Sequence, residues 1–258
     1  LKTVTTLLRR LPFAVILTLV VTATAQSGEV RVAVASNFYR PMQALANDFE
    51  QRSGHQVSLS AGSTGKLYAQ IINGAPFDVF VAADQARPQA LIEQDLATAD
   101  SLMTVAIGQL ALWSADAKLI TGQQQLQPNS TIKRLAIANP KSAPYGAAAI
   151  AVMEQLGVAQ YWLPRLVQGQ NISHTYQYVS SGNATAGFVA VSQVYQQGRL
   201  IAGSAWLVPS SLHPALKQDA VLLQSATTNQ AAQALIEYLR SNAAKTIIQS
   251  FGYRTQSQ

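Results

Sequence analysis

The sequence predicts an α/β protein of two lobes, on three observations. From Glu29 onward, short β-branched runs alternate with stretches whose apolar residues recur at helical spacing, the pattern of an α/β chain with largely parallel sheets. Near the middle, Met103 to Trp113 is longer and more continuously apolar than the earlier runs and reads as a strand leaving one lobe for another. Ala220 to Gln224 then reads as the return. Two crossing segments of this kind leave a cleft with a hinge between the lobes.

The elements follow in order. Val30 to Val34 is a strand, followed by Ser36-Asn37 and by a helix opened by Pro41, with Met42, Leu45, Ala46 and Phe49 on one face and Ser53-Gly54 at its end. Val57 to Ser60 is a second strand. The small-residue loop Ala61 to Gly65 leads from it into a helix, Lys66 to Ile72, closed by Asn73-Gly74. Asp78 to Ala82 is a third strand, and Pro88 begins a helix running to Leu96. Beyond the crossing come the strand Leu135 to Ala138, the loop Ser142 to Gly146 and a helix ending at Gly157. Gln160 to Val167 reads as a further helix, bent at Pro164. Ser173 is the expected N-cap of a helix reaching Ser181, and Gly187 to Val191 is a buried strand. Two amphipathic helices, Asn229 to Arg240 and Asn242 to Phe251, then cover the first lobe. The expected division is a leader at 1–25, the first lobe at 26–105, the second at 106–220 and the return at 221–258.

The leader is expected because Lys2, Arg9 and Arg10 precede the apolar run Leu11 to Val21 and the small residues Ala23-Thr24-Ala25. This is the layout of a cleaved secretory signal, and the run is too short to span a bilayer core of about 20 residues. The whole chain carries a formal charge of +6, and half of that surplus lies in the leader. The remaining Lys and Arg are scattered, with no basic stripe suited to phosphates, which excludes nucleic acid as a partner. The sequence has 0 cysteines. No disulfide therefore holds the exported fold, no thiolate-based zinc site can form, and no lipidated cysteine can tether it. The expected location is the periplasm, with the protein free rather than lipid-anchored, and monomeric.

One feature recurs: a strand, a loop of Ser, Asn, Thr or Gly, then a helix start, at Ser36-Asn37, Ser63-Thr64, Tyr145-Gly146 and Ile172-Ser173. Helix N-termini leave their first N–H groups unpaired and carry a partial positive charge, so several that converge form an anion site without any cation. Any one loop alone is an ordinary helix cap. Their distribution, two in each expected lobe, is what points to a ligand clamped between lobes.

The segments VAVASNF (Val32 to Phe38), AGSTGKLYAQI (Ala61 to Ile71), GAPFDVFVAAD (Gly74 to Asp84), ANPKSAPYG (Ala138 to Gly146) and SSGNATAGFVAVSQV (Ser180 to Val194) occur in this order along the chain. Together they resemble the periplasmic molybdate-binding proteins of ABC transporters. The resemblance implies a type II periplasmic-binding-protein fold that is not an enzyme and needs no cofactor. It also implies a dehydrated molybdate or tungstate dianion held by neutral donors, and delivery to a membrane permease with its cytoplasmic ATPase. Residue by residue, Ser36 and Ser63 match the two hydroxyl donors, and Tyr145 and Ile172 match positions that donate backbone N–H from the second lobe. The family's further tyrosine hydroxyl, in the strand Gly187 to Val191, is replaced here by Ala190. Some members carry an Asn after the first Ser or Thr together with the PYG tyrosine, which makes Asn37 and Tyr145 the expected compensation.

Other residues read as structural. Asp78 and Asp84 would repel an anion and are expected to serve as caps or hinge contacts. His55, His174 and His213 share no metal spacing, and Lys66 adds at most a long-range attraction. The competing readings are a receptor for phosphate, sulfate or ferric ion on the same fold, and a serine hydrolase. None of the four loops carries the Arg a phosphate receptor would use, Tyr145 lacks the second tyrosine an iron site would use, and no Gly-x-Ser-x-Gly elbow surrounds Ser36 or Ser63.

Overall fold

The computed structural model describes residues 27–255, so the expected leader lies outside the described residues. Among the described residues, no helix is long and apolar enough to cross a membrane. Two five-stranded sheets, each flanked by helices, divide the chain.

The first sheet contains β1 (Glu29–Ala35), β2 (Gln56–Gly62), β3 (Val79–Ala82), β4 (Met103–Gly108) and, from late in the chain, β12 (Leu216–Leu222), in the order β2-β1-β3-β12-β4. Helices α1 (Tyr39–Ser53), α2 (Thr64–Ile72), α3 (Ala86–Glu93), α8 (Gln230–Arg240) and α9 (Asn242–Ser250) cover its faces. The second sheet contains β5 (Leu110–Ser114), β6 (Leu135–Ala138), β7 (Leu166–Gly169), β8 (Ala186–Ala190) and β11 (Ser204–Leu207), in the order β11-β5-β8-β6-β7. Its helices are α4 (Pro144–Gln155), α5 (Ala159–Trp162), α6 (Ile172–Ser180) and α7 (Val191–Val194). A small hairpin, β9 (Tyr195–Gln196) with β10 (Arg199–Leu200), follows α7.

Burial explains the strand compositions. The inner strands β3, β6 and β8 are buried along their whole length and read as unbroken apolar runs, whereas the edge strand β2 is nowhere fully buried and alternates. In β1 the alternation sorts side chains between two cores. Val30, Val32 and Val34 pack with Met42, Leu45 and Phe49 of α1 and with Leu235 and Ile236 of α8, while Ala33 faces Leu67 and Ile71 of α2. Leu110, Leu135, Ile137 and Phe188 make the corresponding core of the second lobe with Ala149, Val152 and Met153 of α4.

The structure corrects several expectations. The sheets are mixed rather than largely parallel, because β12 runs antiparallel to β3 and β4, and β5 antiparallel to β8 and β11. Met103 to Trp113 is two strands, not one. The crossing therefore falls after Gly108 instead of after residue 105, and the return begins at Leu216 rather than residue 221. The helix expected at Gln160 to Val167 is a short turn of helix, α5, a 3-10 turn at Leu163–Arg165 and the strand β7. Pairing with β6 decides β7, and local periodicity carries no trace of it. Pro41 is the third residue of α1 rather than its start, and a 3-10 turn at Ser36–Phe38 precedes the helix. The N-cap of α6 is Asn171 rather than Ser173: the Asn171 Oδ1 accepts the His174 N–H at 3.0 Å.

One residue, Gln109, separates the two sheets at the first crossing; its Nε2 donates to the Gly252 carbonyl at 2.7 Å. Residues 208–215 make the second crossing. Arg254 pairs with Ile107 beside them, which ties the chain end to the hinge.

Candidate functional site

The C-terminal ends of β1 and β2 in one sheet, and the starts of α4 and α6 after β6 and β7 in the other, face a common cavity, where open α/β sheets place ligands. Its volume is about 10 Å³, far below the roughly 300–1,000 Å³ of clefts that take organic ligands of drug size. The lining is Ala35, Ser36, Asn37, Gly62, Ser63, Thr64, Ala143, Pro144, Tyr145 and Ile172. All five residues singled out in the sequence are thus brought together. None of the lining residues carries a formal charge.

Ser63 occupies the N-cap position of α2 without capping it. Its carbonyl accepts the N–H groups of Lys66 and Leu67, both at 3.0 Å, but its Oγ makes no cap bond and is buried with no partner. A buried hydroxyl left unpaired costs about 1–3 kcal/mol, and the Ser63 hydroxyl does not recover it by capping α2. Thr64, beside it, is committed to the fold: its Oγ1 accepts the Ala83 N–H at 3.1 Å. In the second lobe, Tyr145 and Ile172 stand in the first turns of α4 and α6, where N–H groups have no intrahelical acceptor. Pro144 precedes Tyr145, and Gly146 follows it. A Cβ on Gly146 would overlap the Ala138 carbonyl, so glycine is what lets the start of α4 lie against the end of β6.

Asn37 departs from its expected role. Its Nδ2 donates to Gln218 Oε1 at 2.7 Å and to the Tyr253 hydroxyl at 3.0 Å, so the amide N–H groups face a buried polar cluster at the hinge. The backbone N–H is the donor that Asn37 has left. Its carbonyl accepts from the Ser192 and Tyr253 hydroxyls, each at 2.9 Å. The Tyr145 hydroxyl belongs to the same cluster rather than to the cavity. It lies against Gly108, where any Cβ would overlap it, and it is buried without a hydrogen-bond partner. Burial pushes its pKa well above the ordinary tyrosine value, and Asn37 and Tyr253 lie beside it. Ala190 offers no side-chain donor: it is fully buried at the end of β8, and its N–H is bonded to Gln193 Oε1 at 3.0 Å. The Gln193 Nε2 in turn donates to the Ile172 carbonyl at 3.2 Å.

The lobes meet around the cavity. Gly65 N–H donates to the Ser142 carbonyl at 2.8 Å, Lys66 Nζ to Gln170 Oε1 at 2.9 Å and Arg87 Nη2 to the Lys141 carbonyl at 3.4 Å. Lys66 therefore bridges the mouth of the cleft. The remaining candidates are structural here. Asp78 accepts the Arg31 backbone N–H at 2.7 Å and pairs with its guanidinium; Asp84 accepts the Arg87 N–H at 3.0 Å and pairs with that side chain. Among the described residues, no group of three or more His, Cys, Asp or Glu is arranged to hold a metal ion.

Gln218, Tyr253, Ser192 and Gln193 escaped the sequence reading. Gln218 and Tyr253 reach Asn37 from 181 and 216 residues away, a distance no local pattern records.

The model of the bacterial extracellular solute-binding protein family matches residues 30–254. This chain belongs to that family. Among its relatives, the molybdate-binding protein ModA of Azotobacter vinelandii is 47% identical over 232 residues, covering 90% of this chain and 92% of the relative. The ModA of Rhodobacter capsulatus is 43% identical over 233 residues, covering 90% of each. A solved structure of an Azotobacter vinelandii periplasmic molybdate-binding protein superposes with a TM-score of 0.85 at 34% identity, covering 88% of this chain and all of that one. The solute-binding fold is thus the type II arrangement of two α/β lobes with a ligand cleft, and the relatives are transport receptors rather than enzymes.

Proposed function

We propose that this protein is the periplasmic receptor of an ABC importer for molybdate or tungstate, held between the lobes by Ser36, Asn37, Ser63, Tyr145 and Ile172. The observation that carries the reading is the Ser63 hydroxyl, buried and unpartnered at the wall of an uncharged cavity that two helix N-termini face. Ser36 and Ser63 supply hydroxyls and backbone N–H; Asn37, Tyr145 and Ile172 supply backbone N–H. Such a set stabilises an anion through fixed dipoles and asks for no counter-ion. The names of the relatives, at 47% and 43% identity, support molybdate as the ligand. The protein passes its ion to a membrane permease coupled to an ATPase, and it works as a free monomer released from a cleaved leader at 1–25.

The same cavity disfavours the alternatives. Protonated phosphate needs an acceptor such as a carboxylate, and the lining residues include none. Ferric ion needs anionic ligands, whereas burial moves the Tyr145 hydroxyl away from ionisation. Sulfate matches in charge but is smaller, so donors fixed by two closed lobes cannot all reach it. Each unmade bond to a charged group costs about 1.5–3 kcal/mol, and one or two weaken binding by roughly 10- to several thousand-fold. Isothermal titration of residues 26–258 should give one molybdate or tungstate per chain and far weaker sulfate, phosphate and ferric citrate. Equal affinity for sulfate and molybdate would sink the reading.

A further inference from the structure

We infer that Tyr253 is a positioning residue of the anion site, acting through Asn37 from the chain's C-terminal segment; the inference deepens the proposed reading and rests on it. Tyr253 touches Asn37 twice. Its hydroxyl accepts from the Asn37 side-chain amide at 3.0 Å and donates to the Asn37 carbonyl at 2.9 Å. Ser192, from the second lobe, donates to the same carbonyl at 2.9 Å, and Gln218 on β12 holds the other side of the amide at 2.7 Å. All four residues are more than nine-tenths buried, so water does not replace a lost partner freely.

This clamp acts on a residue whose N–H and carbonyl must point opposite ways. The Asn37 N–H is a donor to the anion, while a peptide carbonyl turned toward a dianion would repel it. Two hydroxyls on the carbonyl and two acceptors on the amide fix the residue from every side except the cavity. The clamp is also anchored at the hinge, because Arg254, next to Tyr253, pairs with Ile107 on β4, and the Tyr253 ring packs edge-on against Phe38 at 5.0 Å. Since Ser192 belongs to the other lobe, the Asn37 carbonyl is held by both hydroxyls only when the lobes are together. Tyr253 therefore sets the position of a ligand donor at the point where closure is registered.

The test is titration of sodium molybdate and sodium sulfate into wild-type, Tyr253→Phe, Ser192→Ala and Ser192→Thr proteins, with thermal unfolding of each free protein. The expected result is molybdate binding weakened about 5- to 20-fold in Tyr253→Phe, a loss comparable to one hydrogen bond. Its ratio of molybdate to sulfate affinity should also narrow, because a donor free to shift can follow the smaller ion. Ser192→Ala should lose less, and Ser192→Thr, which keeps the hydroxyl, should restore most of it. A purely structural Tyr253 would lower the unfolding temperature while leaving both the molybdate affinity and the ratio at wild-type values, and that result overturns the inference. Should Tyr253→Phe fail to fold, Ser192→Ala decides, and unchanged affinity there overturns it equally. Wild-type protein that does not bind molybdate would instead defeat the proposed ligand, whatever the variants do.

Discussion

The two halves of the cavity are built on different principles. In the first lobe, loops after β1 and β2 present hydroxyl side chains, and Ser63 leaves a helix uncapped to do so. In the second lobe, α4 and α6 present their first turns, and the side chains of Tyr145 and Ile172 turn into the core of that lobe. One half thus depends on what its residues are, and the other on where its backbone lies. Substitutions should reveal the contrast: in the first lobe the conservative change is costly, while in the second only changes that move or delete an N–H matter.

The largest effect is expected where backbone position itself is attacked. Gly146→Ala places a methyl on the Ala138 carbonyl, a backbone group that cannot yield, so α4 must leave the end of β6. Overpacking of this kind costs about 1–3 kcal/mol or more, and both the unfolding temperature and molybdate affinity should fall together. Ser63→Ala should come next, weakening molybdate binding by about 10- to 100-fold in titration. The free protein should keep or gain stability, because an unpaired buried hydroxyl has been removed. A loss of about 1 kcal/mol with unchanged affinity would return Ser63 to the role of a cap.

Ile172→Pro sharpens the comparison. Proline is accepted at the first position of a helix, and Asn171 already has the extended backbone that precedes proline, yet the N–H is gone. Affinity should drop about tenfold, whereas Ile172→Val, which keeps the N–H, should stay within about twofold and cost about 0.5–1.5 kcal/mol in stability. If valine cost as much affinity as proline, the side chain would be the contact and the two halves would be alike. Smallest of all is Tyr145→Phe: the hydroxyl abuts Asn37 and Tyr253 without a hydrogen bond of regular geometry, so affinity should change by less than about twofold and stability should hold or rise.

Much of this arrangement was readable in the residues, and the exceptions have a common cause. The strand at Leu135–Ala138 and the two C-terminal helices follow from periodicity, since their partners lie on a single buried face or pair of faces. The five cavity residues follow from loop chemistry repeated in four places together with family resemblance. What stayed hidden is set by distant pairing. Leu166 and Val167 become strand only because β6 is there to receive them. The Asn37 amide is drawn toward the hinge by Gln218 and Tyr253, a direction that no local pattern in the sequence records.

The uncharged lining has a further consequence, for release. Tyr145 is the one titratable residue at the cavity, and burial holds its hydroxyl neutral well beyond the ordinary range. Acidification or mild alkalinity therefore finds no proton to add or remove on the residues that line the cavity. What the fold offers instead is division. The proposed donors are divided, three residues on the first lobe and two on the second, and parting the lobes breaks cross-lobe bonds such as Gly65 to Ser142 and Lys66 to Gln170. Under the proposed function, unloading is a mechanical act, in which a permease that holds the lobes apart leaves each half of the site to compete with water alone.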